Sequence, residues 1–357
     1  ASRARIFLHR DGWHHLSTEW GQMWHPRRIN VGASGTLACM RPKAMPAITL
    51  ARRATMRDLV EYRRLRRAVA EGTWMRLIAG VYVSVSEWTA LTPLERHRVR
   101  VSEVALRLDP GSVVSHFAAA ATWEIDVLGS WPAQIDVYRD GISGAHSSGN
   151  VRVHAVGGSP PATLSWGNHV VTSPAQTVLD LARRLPFIEA VATLDQGMWS
   201  GRPGGALTSA DEIRELAMRF ATRRGTPRAL QALDAAEREA ANVRETQARI
   251  VIASLGFPHM RLQERRILPS GRLVYGDLYM PEVDHWIEVD GRGKYLSPQY
   301  TQGRSTADIV LDEKDRENEI RRVVRGFTRL GARDADNPRR VYDILIQAGL
   351  KPTRPRP

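Results

Sequence analysis

The spacing of apolar and polar positions changes along the chain, and each change predicts an element. Over residues 59–72, Leu65, Ala68 and Val69 share one helical face and Gly72 supplies the stop, which predicts a helix. Residues 74–83 then read as two short strands hinged at Ala79-Gly80. Helical spacing returns at 94–108 and 115–123, and strand-like runs follow at 134–138, 151–156 and 169–171. Ser173-Pro174-Ala175-Gln176 has the form of a capping box with proline at the first helical position, and Leu179, Leu181 and Ala182 carry that helix on. After a Gly-rich turn at 201–205, residues up to 240 read as an Ala- and charge-rich helical connector. A helix over 243–255, with Val243, Ile250, Val251 and Leu255 as its stripe, leads into strands at about 261–268 and 272–280 and a third around 286–290. A charged helix at 312–322, a strand at 323–330 and a helix from Asn337-Pro338 complete the pattern. Residues 1–44 show no sustained period and read as an appended extension.

This alternation predicts a multi-domain α/β protein. The expected units are the extension at 1–44, a helix-and-hairpin unit at 45–88, an α/β unit at 89–199, the connector at 200–240, a mixed sheet flanked by helices at 241–350, and a basic tail at 351–357. At 357 residues the chain is too long for one ordinary core. No apolar run approaches the length of a spanning helix, so no membrane partner is expected and a cytoplasmic location fits best. The single cysteine, Cys39, excludes an intramolecular disulfide and a Cys-based zinc cage. His9, His14, His15 and His25 have no carboxylate or cysteine at ligand spacing, so they do not read as a metal site.

A net charge of +13 and a pI near 10.6 favour a polyanionic partner, DNA above all. An arginine-rich surface that only solvates the fold is the plainer alternative. A basic helix followed by a hairpin is the layout of a winged helix-turn-helix, which puts Arg63, Arg64, Arg66 and Arg67 near phosphates or base edges. His116 and His154 read as ordinary structural histidines.

The densest candidate chemistry lies between Gly276 and Gly291. In Trp286-Ile287-Glu288-Val289-Asp290 strand alternation sends Glu288 and Asp290 to one side, and a partner strand carrying Asp277 brings a third carboxylate alongside. Like charges gathered in apolar sequence point to a divalent cation, Mg2+ or Mn2+. Asp277 and Glu288 are the expected main ligands, and Asp290 a further ligand or water orienter. Glu245 reads either as an outer-shell group or as the partner of Arg249 four residues on. Lys294 is placed to orient water or stabilise charge, and Lys314 or Arg316 to contact phosphate.

From Asp277 through Glu288-Val289-Asp290-Gly291-Arg292-Gly293-Lys294 to the charged run 313–322, the chain resembles the PD-(D/E)XK restriction-endonuclease-like superfamily. It is most similar to the branch of very-short-patch mismatch-repair endonucleases. That resemblance implies Mg2+-dependent cleavage of DNA on a mixed sheet flanked by helices. The acidic pair here is Glu-Val-Asp rather than Glu-x-Lys, so the lysine has to come from Lys294 or Lys314. Residues 63–83 and 173–182 resemble AbiE-type type IV antitoxins, which implies a DNA-binding autorepressor with a cognate toxin as a further partner. The expected function is therefore a DNA-binding, Mg2+-dependent endonuclease serving phage defence or DNA repair. The alternative is an antitoxin-like repressor whose nuclease-like domain is inert.

Overall fold

The computed structural model describes residues 48–141, 146–157, 159–290, 306–331 and 333–357. The expected extension at 1–44, residues 142–145, and residues 291–305 with Lys294 lie outside the described residues.

The first sheet holds β1 (Leu50–Arg52), β2 (Trp74–Ile78) and β3 (Val81–Ser84) in the order β1-β3-β2, all antiparallel. Helix α1 (Leu59–Ala70) precedes the predicted hairpin. Asp58 starts it by accepting from Val60 N and Glu61 N at 2.7 and 2.9 Å, and Gly72, at φ +75°, lets the chain turn back into β2. Between β1 and α1 the described chain holds a single 3-10 turn, Arg53–Thr55.

The next layer comprises α2 (Val85–Ala90), α3 (Pro93–Ala105), β4 (Val113–Val114), α4 (His116–Thr122), β5 (Ile135–Arg139), β6 (His146–Ser148), β7 (Val151–Ala155), β8 (Thr163–Trp166), β9 (His169–Thr172), α5 (Pro174–Ala182) and α6 (Phe187–Met198). Its mixed sheet runs β6-β7-β5-β4-β9-β8. Ser173 caps α5 as expected, accepting from Gln176 N at 3.2 Å. The other half of the expected box is not made. Gln176 instead accepts from Ala162 N and donates to Asp180 Oδ1, while Ser173 N goes to Ala162 O. The β8–β9 hairpin thus takes the hydrogen bonds that the helix alone would have used.

Helices α7 (Ala210–Arg219) and α8 (Thr226–Asp234) occupy the expected connector. Ile213, Phe220 and Leu233 of this stretch join one continuous apolar cluster with Leu77 and Val83 of the first sheet, Val114 of the second, and Val178 and Leu194 of α5 and α6. Residues 77–233 therefore share a core.

The last part is α9 (Val243–Ser254), β10 (Arg261–Ile267), β11 (Leu273–Met280), β12 (His285–Val289), α10 (Thr306–Val323), β13 (Gly326–Leu330) and α11 (Pro338–Gln347). The sheet order is β10-β11-β12-β13, antiparallel except for the parallel β12–β13 pair. Ile252 of α9 and Val341 of α11 pack with Leu278 and Ile287, whereas Ile320 of α10 packs with Val274, Tyr279 and Trp286. The expected multi-domain α/β architecture, with a mixed sheet flanked by helices at its C-terminal end, is what the chain adopts. No helix among the described residues is long and apolar enough to cross a membrane.

Candidate functional site

The candidate carboxylates sit where β11 and β12 part. The antiparallel ladder pairs Met280 with His285, Tyr279 with Trp286 and Leu278 with Ile287. One further step in the same register sets Asp277 opposite Glu288, but there the ladder opens. Asp277 Oδ2 fills the gap by accepting from the backbone N–H of Val289 at 2.8 Å. On its other side β12 continues beside β13, where Glu288 is paired with Arg329. Both acids are buried, at 7% and 8% exposure.

The row extends to β10. Its register with β11 passes from Leu262–Leu278 to Glu264–Gly276 and skips Gln263 and Asp277. Gln263 adopts φ +49°, the left-handed region that side-chain-bearing residues rarely enter within a strand. The distortion also shows in packing: Val274 and Tyr279 join the same cluster although five residues apart, where strict alternation would part them. From this position Gln263 Nε2 donates to Glu245 Oε2 at 3.3 Å. At one level of the sheet the four strands thus present Gln263, Asp277, Glu288 and Arg329, with Glu245 joined through the glutamine.

Each acid has protein partners. Glu288 accepts from Trp286 Nε1 at 2.8 Å and from both terminal nitrogens of Arg316 at 3.3 and 3.2 Å. This two-pronged guanidinium contact is largely buried, with side-chain exposures of 15% and 10%. Asp290 lies 3.5 Å from Arg329 Nε, and Arg329 reaches Glu317 Oε2 at 3.3 Å. Among the described residues no group of three or more His, Cys, Asp or Glu side chains is set to hold a metal ion.

Two expectations need correction. Glu245 does not pair with Arg249, which bonds Asp195 Oδ2 at 3.0 Å and Ala235 O at 2.9 Å. Glu245, fully buried, is held at the start of its own helix. It accepts from Ala241 N and Asn242 Nδ2, while Asn242 Oδ1 accepts from Glu245 N. Lys314 is the second. It is exposed on α10 and two residues before Arg316, about 200° round the helix from the face that carries Arg316 and Ile320 to the sheet. Arg316 and not Lys314 reaches Glu288, and Lys294 lies outside the described residues. Beside Arg316 opens a cleft of about 690 Å³ whose lining includes Arg272, Arg322, Asp315 and Glu319.

Sequence reasoning missed Gln263, Trp286 and Arg329. For Arg329 a signal was available, since an arginine interrupts the otherwise apolar end of a predicted strand. On α1, Arg63, Arg64, Arg66 and Arg67 are all exposed.

No family model matches the chain, and no curated protein matches it. Among solved structures the chain is similar to the crystal structure of the RV2827C protein from Mycobacterium tuberculosis. The match has 15% identity and a TM-score of 0.29, and covers 60% of this chain and 79% of that one. A likeness at that level carries no inference about the present chain.

Proposed function

We propose that the chain is a DNA-binding, divalent-metal-dependent endonuclease whose hydrolytic centre comprises Asp277, Glu288 and Asp290. The reading rests on one observation, the opposition of Asp277 and Glu288 across the point where β11 and β12 separate. Magnesium accepts one or two carboxylates together with water and phosphate oxygens, so this donor set suits it in kind. Asp277 and Glu288 would hold the ion and Asp290 would orient water. When bound, the metal supplies an acidified water and a polarised phosphoryl oxygen. The guanidinium of Arg316 must then leave Glu288, and the phosphate it would meet in the adjoining cleft is a better match to its two-pronged geometry.

The test is cleavage of duplex, single-stranded and mismatched DNA with Mg2+ or Mn2+. Asp277→Ala and Glu288→Ala should each slow cleavage by about a thousandfold while leaving DNA affinity within about twofold. Wild type that cuts none of these substrates rules the reading out.

One observation favours the second reading, a DNA-binding repressor with an inert nuclease-like domain. The buried Arg316–Glu288 pair already neutralises the carboxylate a metal would need. On that reading promoter binding is salt-sensitive and indifferent to Glu288. Replacing one of Arg63, Arg64, Arg66 or Arg67 lowers the slope of log affinity against log salt by about one.

A further inference from the structure

A second polar cluster lies in the six-stranded sheet, away from the carboxylate row. Asp136 on β5 and His154 on β7 are buried, and His154 Nε2 donates to Asp136 Oδ1 at 2.7 Å. That bond leaves the His154 Nδ1 lone pair to accept from Arg184 Nη1 at 2.8 Å. His116, the first residue of α4, stacks against His154 with ring centroids 4.1 Å apart. Its Nδ1 bonds Ser115 Oγ at 3.0 Å, and its Nε2 faces the same Arg184 nitrogen at 3.4 Å. Burial, then the neighbouring His154 and arginines, holds the His116 pKa well below its ordinary value, so the ring stays an acceptor.

Two features show that this arrangement is built rather than incidental. His116 takes up φ +46°, a strained conformation for a buried ring-bearing residue. Asp136 is 1% exposed and keeps its second oxygen, Oδ2, without a hydrogen bond. Both costs are borne to fix a side chain that is itself exposed, Arg184. An arginine held by a carboxylate has its charge cancelled, as at Arg98–Glu124 or Arg249–Asp195. Arg184 is held instead by two imidazole nitrogens. Its position is fixed, its full charge remains, and its outer N–H groups face solvent. Nearby, Arg183 pairs with Asp180 at 3.6 Å and Arg152 lies 3.9 Å from Asp136, so the charge left uncancelled at this point is that of Arg184.

We propose that the surface around Arg184 binds a phosphate group, with His116, His154 and Asp136 as positioning residues. The phosphate can come from a free mononucleotide or from a nucleic-acid backbone, and both present the same oxyanion to the fork of Arg184. The inference does not depend on cleavage at Glu288.

Binding of inorganic phosphate, followed by phosphorus NMR on the full chain, is the test. Arg184→Ala should weaken binding at least tenfold, whereas Arg265→Ala, which removes an exposed arginine elsewhere, should change it less than twofold. Arg184→Lys keeps the charge but loses the fork, so it should restore only part of the loss. Equal affinity of wild type and Arg184→Ala, or full affinity of Arg184→Lys, overturns the proposal. Displacement of phosphate by a mononucleotide but not by an oligonucleotide lacking a terminal phosphate assigns the site to a phosphomonoester. Displacement by that oligonucleotide assigns it to a backbone. Failure of both to displace Arg184-dependent phosphate overturns it.

Discussion

The two polar clusters use the same parts and finish with opposite electrostatics. Each has a buried carboxylate on a central strand, an aromatic or imidazole N–H bonded to it, and an arginine at the surface end. In the C-terminal sheet Arg316 touches Glu288 directly, so the pair is neutral until one member moves. In the six-stranded sheet His154 stands between Asp136 and Arg184, and the arginine keeps its charge. One imidazole ring interposed between acid and base turns a closed ion pair into an offered cation. The first cluster therefore has to open before it can act, and the second is ready as it stands.

His154→Leu strikes that difference hardest. It strips Asp136 of its close hydrogen-bond partner, leaving Arg152 at 3.9 Å as the nearest cation. An uncompensated buried charge costs about 3–5 kcal/mol. Glu288→Gln should cost only about 1–2 kcal/mol, because the amide oxygen still accepts from Trp286 and the freed Arg316 can turn to solvent. Urea midpoints for the two variants check the order, and equal losses would erase the distinction drawn between the clusters.

Asp180 probes the same layer through pH. It is fully buried, and burial raises its pKa to about 6 against the opposing pull of Gln176, Tyr138 and Arg183. A carboxyl raised above its unfolded pKa of about 3.9 takes up protons on folding, so its contribution to stability falls as pH rises from about 4 through 6. Asp180→Asn should remove that decline, a gain on the order of 2–3 kcal/mol at pH 7 with little change at pH 4. Parallel stability-pH curves for variant and wild type would show that the carboxyl titrates as an ordinary acid.

How much of this was legible in the sequence depended on how local the signal was. Caps and periodicity announced α5, α9 and the β2–β3 hairpin, because the deciding residues lie within a turn of one another. Strands β1, β4, β6 and β8 run two to four residues and show no period to read. The alternation in residues 286–290 was enough to single out Glu288 and Asp290 and to suggest Asp277. Gln263 could not be found that way, since its place opposite Asp277 depends on strand register and on a left-handed backbone. His116, His154 and Arg184 come from three distant segments, and no spacing in the sequence joins them. The choice of Arg316 over Lys314 was in fact available, because Arg316 stands four residues before the apolar Ile320, one helical turn away, and Lys314 does not.

The last expected effect concerns how Glu288 is aimed. Gly276 faces Glu264 across the β10–β11 ladder, and its missing side chain leaves room for the ring of Trp286. A Cβ there would meet the Trp286 Cε2 and Cζ2 atoms at 2.4 and 2.5 Å. The ring is fully buried, so it can yield only by moving with its surroundings. Gly276→Ala should therefore cost about 1–3 kcal/mol through overpacking. The displaced indole would also loosen its hydrogen bond to Glu288 Oε1, leaving Arg316 to orient the carboxylate alone. Added Arg316→Met should then lower stability by more than it does in wild type, a coupling readable in a double-mutant cycle. Strict additivity of the two substitutions would mean that Trp286 and Arg316 hold Glu288 independently, and that the acid is set by its strand and not by its neighbours.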